Sequence, residues 1–418
     1  MGGFDLNLAR KLHFFREKSK EFSHILNNIS TFAPVMAGIY IHIPFCKTRC
    51  IYCAFYSTTN LELRQRYVDA VCREMELRGG RKEEGKGRKE KKEWGDVETV
   101  YIGGGTPSQL NNPQLEQLFY YINKVWGDSL GPCPEITIEV NPDDVTESFV
   151  KGLQTLPVNR VSMGVQTFSD ERLQMIHRRH TASQVGIAVE RLREAGIENI
   201  SIDLMYGFPG ETLADWRLDI ERALALKPEH LSAYCLSYEE GTVLYRQMTD
   251  GVCCPVDEET ERAMYDMLID RLELEGYEHY ELSNFARPGY RSRHNSSYWT
   301  GIPYIGLGAA AHSFDGSCRS WNVSDVHRYI EGMERGERVF EEERLLGDTY
   351  YNDRVTVALR TCEGLNLAEL SAWYRDYCLS QARRFLEGGL LKLSGERLCL
   401  TREGLFVSDM VMSALMKV

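Results

Sequence analysis

The sequence has no uninterrupted apolar run of 18 residues, so it offers no stretch that reads as a membrane-spanning helix. It has no apolar signal-peptide core near its start. It also lacks a basic excess: 49 Lys and Arg stand against 61 Asp and Glu, a formal net charge of −12. Phosphate backbones are bound by clustered cations, so this balance argues against a nucleic-acid partner. No fourth cysteine or histidine follows within ten residues of the densest thiol cluster, which a structural zinc site of two paired motifs would supply. Neither a Walker A loop nor a G-x-G-x-x-G turn is present at the glycine-rich strand end described below.

What is present is a chain of 418 residues with 43% hydrophobic content, enough for two or three domains with ample cores. Twelve cysteines without a signal peptide read as reduced thiols, which places the protein in the cytoplasm. Residues 1–35 differ from the rest. Leu6 to Ile29 mixes basic and apolar residues, and is expected to be a disordered or loosely docked extension. An amphipathic helix on a membrane surface, hence peripheral membrane association, is the alternative. Met36 is expected to be the natural start.

From Gly38 a regular alternation begins. Strand-like runs are predicted at Gly38–Pro44, Glu98–Ile102, Glu135–Val140, Arg160–Val165, Asn199–Met205 and His230–Leu236, with helical patterns between them. The clearest helix opens on a capping-box pair, Thr181 and Gln184. It continues with Val185, Ala188, Val189 and Leu192 at helical spacing and stops at Gly196. Six strands alternating with helices imply parallel β/α units over residues 36–240. Residues 79–95 interrupt them with seven Lys or Arg and four Glu, which reads as a solvated loop. Residues 241–340 are expected to extend the sheet and close one side of it. Residues 341–418 read as a mainly helical, winged-helix-like unit with a β-ribbon either side of Gly395. That segment has ten Lys or Arg against twelve Asp or Glu, so it reads as a cap rather than a DNA reader.

The thiol cluster is Cys46-Lys47-Thr48-Arg49-Cys50-Ile51-Tyr52-Cys53, directly after the first strand. Thiolates at this density favour zinc or iron–sulfur, and the spacing alone sets a cluster about level with zinc or chance taken together. Three cysteines can hold a four-iron cluster and leave one iron for a non-protein ligand. Strand ends build the active site in β/α barrels, and chemically useful residues follow each strand here. Tyr40 and His42 share a face of the first. Gly103-Gly104-Gly105-Thr106-Pro107 ends the second, where glycines allow close backbone approach or simply a tight turn. Glu139-Val140-Asn141-Pro142 ends the third, Gln166 the fourth with Arg178 twelve residues on, Asp203 lies on the fifth and Leu236 follows the sixth.

The C-x3-C-x2-C spacing, preceded by Tyr40-Ile41-His42-Ile43-Pro44-Phe45, resembles the radical-SAM family. Within it, the likeness is to the branch that contains oxygen-independent coproporphyrinogen III oxidase and the HemW heme chaperones. The resemblance runs from about Met36 to the C-terminus. It implies a partial (β/α)6 barrel and a [4Fe-4S] cluster on Cys46, Cys50 and Cys53. It also implies S-adenosylmethionine (SAM) on the open iron, cleaved in that superfamily to methionine and a 5′-deoxyadenosyl radical. By position it carries SAM contacts onto Tyr40, Tyr52, Gly104, Gly105, Thr106, Glu139, Gln166, Arg178, Asp203 and Leu236.

His294-Asn295-Ser296-Ser297-Tyr298-Trp299 matches the H-N-x-x-Y-W motif associated with HemW. The resemblance therefore implies heme as a ligand, with His294, Tyr298 and Trp299 at it and a recipient hemoprotein as partner. Gly306 to Ala311, rich in glycine and alanine, leaves room for a planar ligand or permits tight packing. Two departures bear on function. Ala54 stands where HemW-like chains often carry Asp, and Phe55 where the oxidases carry a further cysteine. The expected function is heme binding and delivery, with coproporphyrinogen III dehydrogenase, an oxidative decarboxylase, as the alternative.

Overall fold

The computed structural model describes residues 37–79 and 96–418. The expectations for residues 1–36 and for most of the charged 79–95 insertion fall outside the described residues.

Twelve strands form one sheet: β1 (Ala37–Ile43), β2 (Val97–Gly104), β3 (Leu130–Val140), β4 (Arg160–Gln166), β5 (Asn199–Tyr206), β6 (His230–Cys235), β7 (Glu278–Glu281), β8 (Asn284–Ala286), β9 (Tyr304–Leu307), β10 (His312–Phe314), β11 (Cys318–Asn322) and β12 (Phe340–Arg344). Their order is β12-β11-β10-β9-β1-β2-β3-β4-β5-β6-β8-β7. The pairs from β9 through β1 to β6 are all parallel, and β10–β12 and β7–β8 add antiparallel margins. The expected α/β open barrel is therefore the fold, with a seventh parallel strand, β9, beside β1. The segment after β6 extends the sheet at both edges, because β7 and β8 pair onto β6 while β9–β12 pair outward from β1.

Parallel strands are covered on both faces, so they read as nearly continuous apolar runs. In β1, Ile39, Ile41 and Ile43 are fully buried toward the helices. Tyr40 and His42 alternate with them and face the concave side, the lumen. The helix Ala182–Glu194 does start on the Thr181 and Gln184 capping box, which satisfies two end groups at once. A separate core of Tyr351, Val355, Leu359, Phe385, Leu398, Val411 and Leu415 holds the C-terminal unit. It carries a three-stranded ribbon, β13 (Leu365–Asn366), β14 (Leu391–Ser394) and β15 (Arg397–Leu400), in the order β13-β15-β14. Among the described residues no helix is long and apolar enough to cross a membrane.

One buried carboxylate ties the β9–β11 margin to the barrel. Glu74, on the helix Arg64–Arg78, is fully buried. It accepts from the Gly308 amide at 2.9 Å, the Asn322 amide at 2.9 Å and the Tyr329 hydroxyl at 2.7 Å, and it lies 3.3 Å from Arg78. Glu74→Ala strands these donors, and breaking a buried pair in this way costs about 3–5 kcal/mol. Chemical denaturation should show a loss of that size, whereas a loss below about 1 kcal/mol would mean the network is dispensable.

Candidate functional site

All parallel strands point their C-terminal ends to one rim, and the three-cysteine loop leaves β1 there. The loop is pinned by backbone bonds. Cys46 N–H donates to Thr58 at 3.0 Å, Ile51 N–H to Ile176 at 3.4 Å, and the Leu244 amide donates to Ile51 at 3.0 Å. Ile51 packs into a small core with Ile176, Met205, Phe208, Leu236 and Leu244, and Tyr52 lies against it. Leu236 thus reaches the site through packing, and its own N–H is bonded to Tyr206.

A polar lattice holds the three thiols' surroundings. Arg178 donates to Asn141 Oδ1 at 2.7 Å and to the Gly164 carbonyl, and its Nη1 lies 3.8 Å from Cys50 Sγ. Asn141 Nδ2 in turn donates to Thr106 Oγ1 at 3.4 Å, and the Thr106 hydroxyl lies 3.5 Å from Cys46 Sγ. The chain Cys50, Arg178, Asn141, Thr106, Cys46 therefore links four strand ends around the loop. Asn141 is its middle member. The sequence showed Asn141 beside Glu139 but gave no signal that it would bridge two site residues. Burial pushes the thiols of Cys46 and Cys53 upward, so they stay protonated until a metal displaces the proton. No trio of His, Cys, Asp or Glu among the described residues converges as a single-ion site. A four-iron cluster instead asks each thiolate to hold a different iron, which this loop of free thiols fits.

Just inside the rim, Glu139 accepts from the Tyr101 hydroxyl at 2.8 Å and the Gly104 amide at 2.9 Å. Gly104 has φ +112°, and a Cβ there would stand 2.5 Å from the His42 ring. A Cβ on Gly105 would stand 2.8 Å from the Pro44 carbonyl carbon. These glycines are thus required by close packing beneath the loop. Gln166 ends β4 at φ +69°, a strained conformation for a side-chain-bearing residue and one that concentrates at functional sites. Asp203 accepts from Ser162 at 3.3 Å, and burial raises its carboxyl above the ordinary range.

Arg160, overlooked at the start of β4, is 1% exposed, and its Nε and Nη1 have no hydrogen-bond partner. Its charge favours the ionised forms of Glu139 and Asp203 across the lumen.

The lumen floor lies at the opposite end. His294, on the helix Arg293–Thr300, is buried, with Nδ1 2.8 Å from Thr99 Oγ1 and Nε2 2.9 Å from the Tyr298 hydroxyl. Its ring stacks on Tyr101 at 5.1 Å and on Tyr40 at 6.3 Å. Burial, helped by the charge of Arg160, lowers its pKa to about 3. Trp299 points elsewhere, under the Arg360 guanidinium at 5.0 Å. Of the three residues expected at a macrocycle, His294 and Tyr298 lie together at the floor, and Trp299 faces away from them. Both imidazole nitrogens are already bonded, and the Tyr40–Tyr101 layer seals the ring from the rim. The glycines of Gly306–Ala311 serve packing. A Cβ on Gly306 would fall 1.9 Å from the His312 carbonyl oxygen, and one on Gly308 2.4 Å from the Tyr67 hydroxyl.

Similarity to known proteins agrees with this geometry. A radical SAM superfamily model matches residues 40–223, and a HemN C-terminal domain model matches residues 345–407. The heme chaperone HemW of Bacillus subtilis is 35% identical over 91% of this chain and 99% of its own length. The chain belongs to the HemW family of radical-SAM proteins. HemW of Lactococcus lactis is 38% identical over 72% of this chain and 76% of its own length. Coproporphyrinogen III oxidase (HemN) of Escherichia coli shares the fold, with a TM-score of 0.77 at 22% identity, covering 93% of this chain and 92% of that one.

Two outcomes follow from the site. Asp144 accepts from Ser108 at 2.9 Å and Arg179 at 3.0 Å, and it pairs at 3.4 Å with Lys47 of the cysteine loop. Asp144→Ala should free that loop and speed alkylation of Cys46, Cys50 and Cys53 in the cluster-free protein. Unchanged labelling rates would show that the backbone bonds suffice. Burial pushes the Glu139 carboxyl up from 4.5 to about 7. The folded chain then binds this proton more tightly than the unfolded chain. That stabilisation is complete below pH 4.5 and lost as pH rises through about 7. Glu139→Gln should therefore flatten the fall in melting temperature across this range, and parallel curves for both proteins would refute the assignment.

Proposed function

We propose that this chain carries a [4Fe-4S] cluster on Cys46, Cys50 and Cys53, binds SAM beside it, and binds heme for delivery to a recipient hemoprotein. The observation that carries the reading is the thiol loop at the rim, braced by the Cys50–Arg178–Asn141–Thr106–Cys46 lattice, in a chain of the HemW family. The cluster, when bound, supplies one electron to SAM. This chain's own residues would hold that ligand in place. The Arg178 guanidinium suits a carboxylate, and the Glu139 and Asp203 carboxylates suit an ammonium or ribose hydroxyls. Gly104, Gly105 and Thr106 would let the backbone approach it, with Gln166, Tyr40 and Tyr52 as walls and Leu236 behind Tyr52. Heme and a recipient hemoprotein come to the reading from the HemW relatives. Twelve free thiols suit a reducing cytoplasmic setting.

The oxidase reading has the shared fold in its favour, and a fold hosts more than one function. Phe55 weighs against it: this side chain is 72% exposed beside the cluster loop, where the oxidase pattern has a thiol.

Anaerobic reconstitution should yield about four irons and four sulfides per chain, abolished by alanine at any of the three cysteines. Incubation with SAM, reductant and coproporphyrinogen III should give no protoporphyrinogen, while hemin should bind with a Soret shift. Decarboxylation detected by chromatography would replace the chaperone reading with the oxidase. Zinc binding without cluster assembly would remove both.

A further inference from the structure

Of the eight histidines in the described residues, His42, His180, His230, His279 and His294 are buried or bonded through at least one ring nitrogen. His177, His312 and His327 are exposed. No hydrogen bond engages either ring nitrogen of His312 among the described residues. Its surroundings separate it from the other two.

β9 runs parallel to β1, with Tyr40 opposite Gly306. β9 therefore ends at the same rim as the cysteine loop. The chain turns through Gly308–Ala311 and starts β10 at that rim with His312. The side on which His312 projects follows from strand alternation. Ser313 bonds Arg78 of the helix layer at 3.0 Å, and Ser320, opposite Ser313, bonds Arg338 at 3.1 Å. His312 and Phe314 project from the other side, with their cross-strand partners Trp321 and Arg319. Phe314 also pairs with Tyr304, which shares the face of Gly306 and Tyr40. The free imidazole thus stands on a continuation of the lumen wall, at the rim. Its ring stacks on Trp321 at 5.8 Å and 24°, with Phe314 and Tyr304 6.4 Å apart behind.

We propose that His312, on the heme reading above, is the axial ligand of the heme iron, with the edge of the Trp321 ring toward the porphyrin. The lone pair of a neutral ring nitrogen donates to the iron, and no proton or electron is displaced. Partial desolvation against its neighbours and the charge of Arg319 lower the imidazole's pKa, which keeps that lone pair available at neutral pH. Arg319 itself pairs with Asp353. Glu341 and Glu343, opposite Trp321 and Arg319 on β12, add negative charge along the same face. The ligand would therefore enter with its propionates turned away from β12. An exposed imidazole, an indole beside it and a face open at the rim are what a protein that must release its heme needs. His294 offers none of these.

The test is a hemin titration of the full chain, followed by Soret absorbance and by paramagnetic resonance of the ferric iron. His312→Ala should weaken binding at least about tenfold and remove the nitrogen-ligand signature. Added imidazole should restore that signature. His327→Ala should behave as the parent protein. His312→Met, which keeps a side chain beside Trp321, should still bind and shift the spectrum toward a thioether ligand. Unchanged affinity and spectra in both His312 variants would overturn the assignment and leave the heme reading intact. Failure of the parent protein to bind hemin at all would overturn the heme reading, and this assignment with it.

Discussion

Polar groups inside the concave face of the sheet have little water to turn to, so they must satisfy one another. That constraint orders the whole lumen. At the floor His294 bridges Thr99 and Tyr298, and Tyr40 and Tyr101 lie over it. Above them Tyr101 and the Gly104 amide hold Glu139. The Tyr40 hydroxyl meets His42 Nδ1 at 2.9 Å, and His42 Nε2 donates to the Tyr56 carbonyl at 3.1 Å. Burial holds the pKa of His42 near 4, so the ring stays neutral beneath the cysteine loop. Each layer uses one strand's inward residues to complete its neighbour's.

Charge follows the same logic. Two carboxylates, Glu139 and Asp203, face the lumen, and two guanidiniums, Arg160 and Arg178, oppose them. Arg178 spends its donors on Asn141 and the Gly164 carbonyl near the thiols. Arg160 keeps two nitrogens unpaired and acts through its field on both carboxyls. Desolvation still outweighs these attractions at Glu139, whose carboxyl sits near 7. A cationic or hydroxyl-rich ligand arriving at the rim would meet a carboxyl poised between its two states.

Much of the architecture was legible in the residues. The six apolar runs became β1–β6 within a few residues of their expected ends, and the Thr181–Gln184 pair marked a real helix start. Local signals of this kind, strand alternation and end-capping, survive folding because they are satisfied by near neighbours. The site was legible in part. Thr106, Glu139, Arg178 and Asp203 meet at one end of the sheet because parallel pairing brings strand ends together. Asn141 and Arg160 escaped notice because their roles depend on cross-strand neighbours about 20 or more residues away. The place of His294 at the floor was hidden for the same reason. This residue lies on the Arg293–Thr300 helix, and the bonds to Thr99 of β2 and Glu135 of β3 set that helix at the floor.

The two ends of the lumen therefore differ in kind. The floor is a set of saturated hydrogen bonds with buried rings, and any ligand there would first have to break the bonds that hold β1, β2 and the Arg293–Thr300 helix together. The rim keeps its chemistry open. Its thiols are free, Phe55 is exposed, and the face that carries His312 and Trp321 meets solvent. The bonded floor ties β2 and β3 to the Arg293–Thr300 helix, which leaves the rim as the end where a ligand can meet the chain without first breaking those bonds.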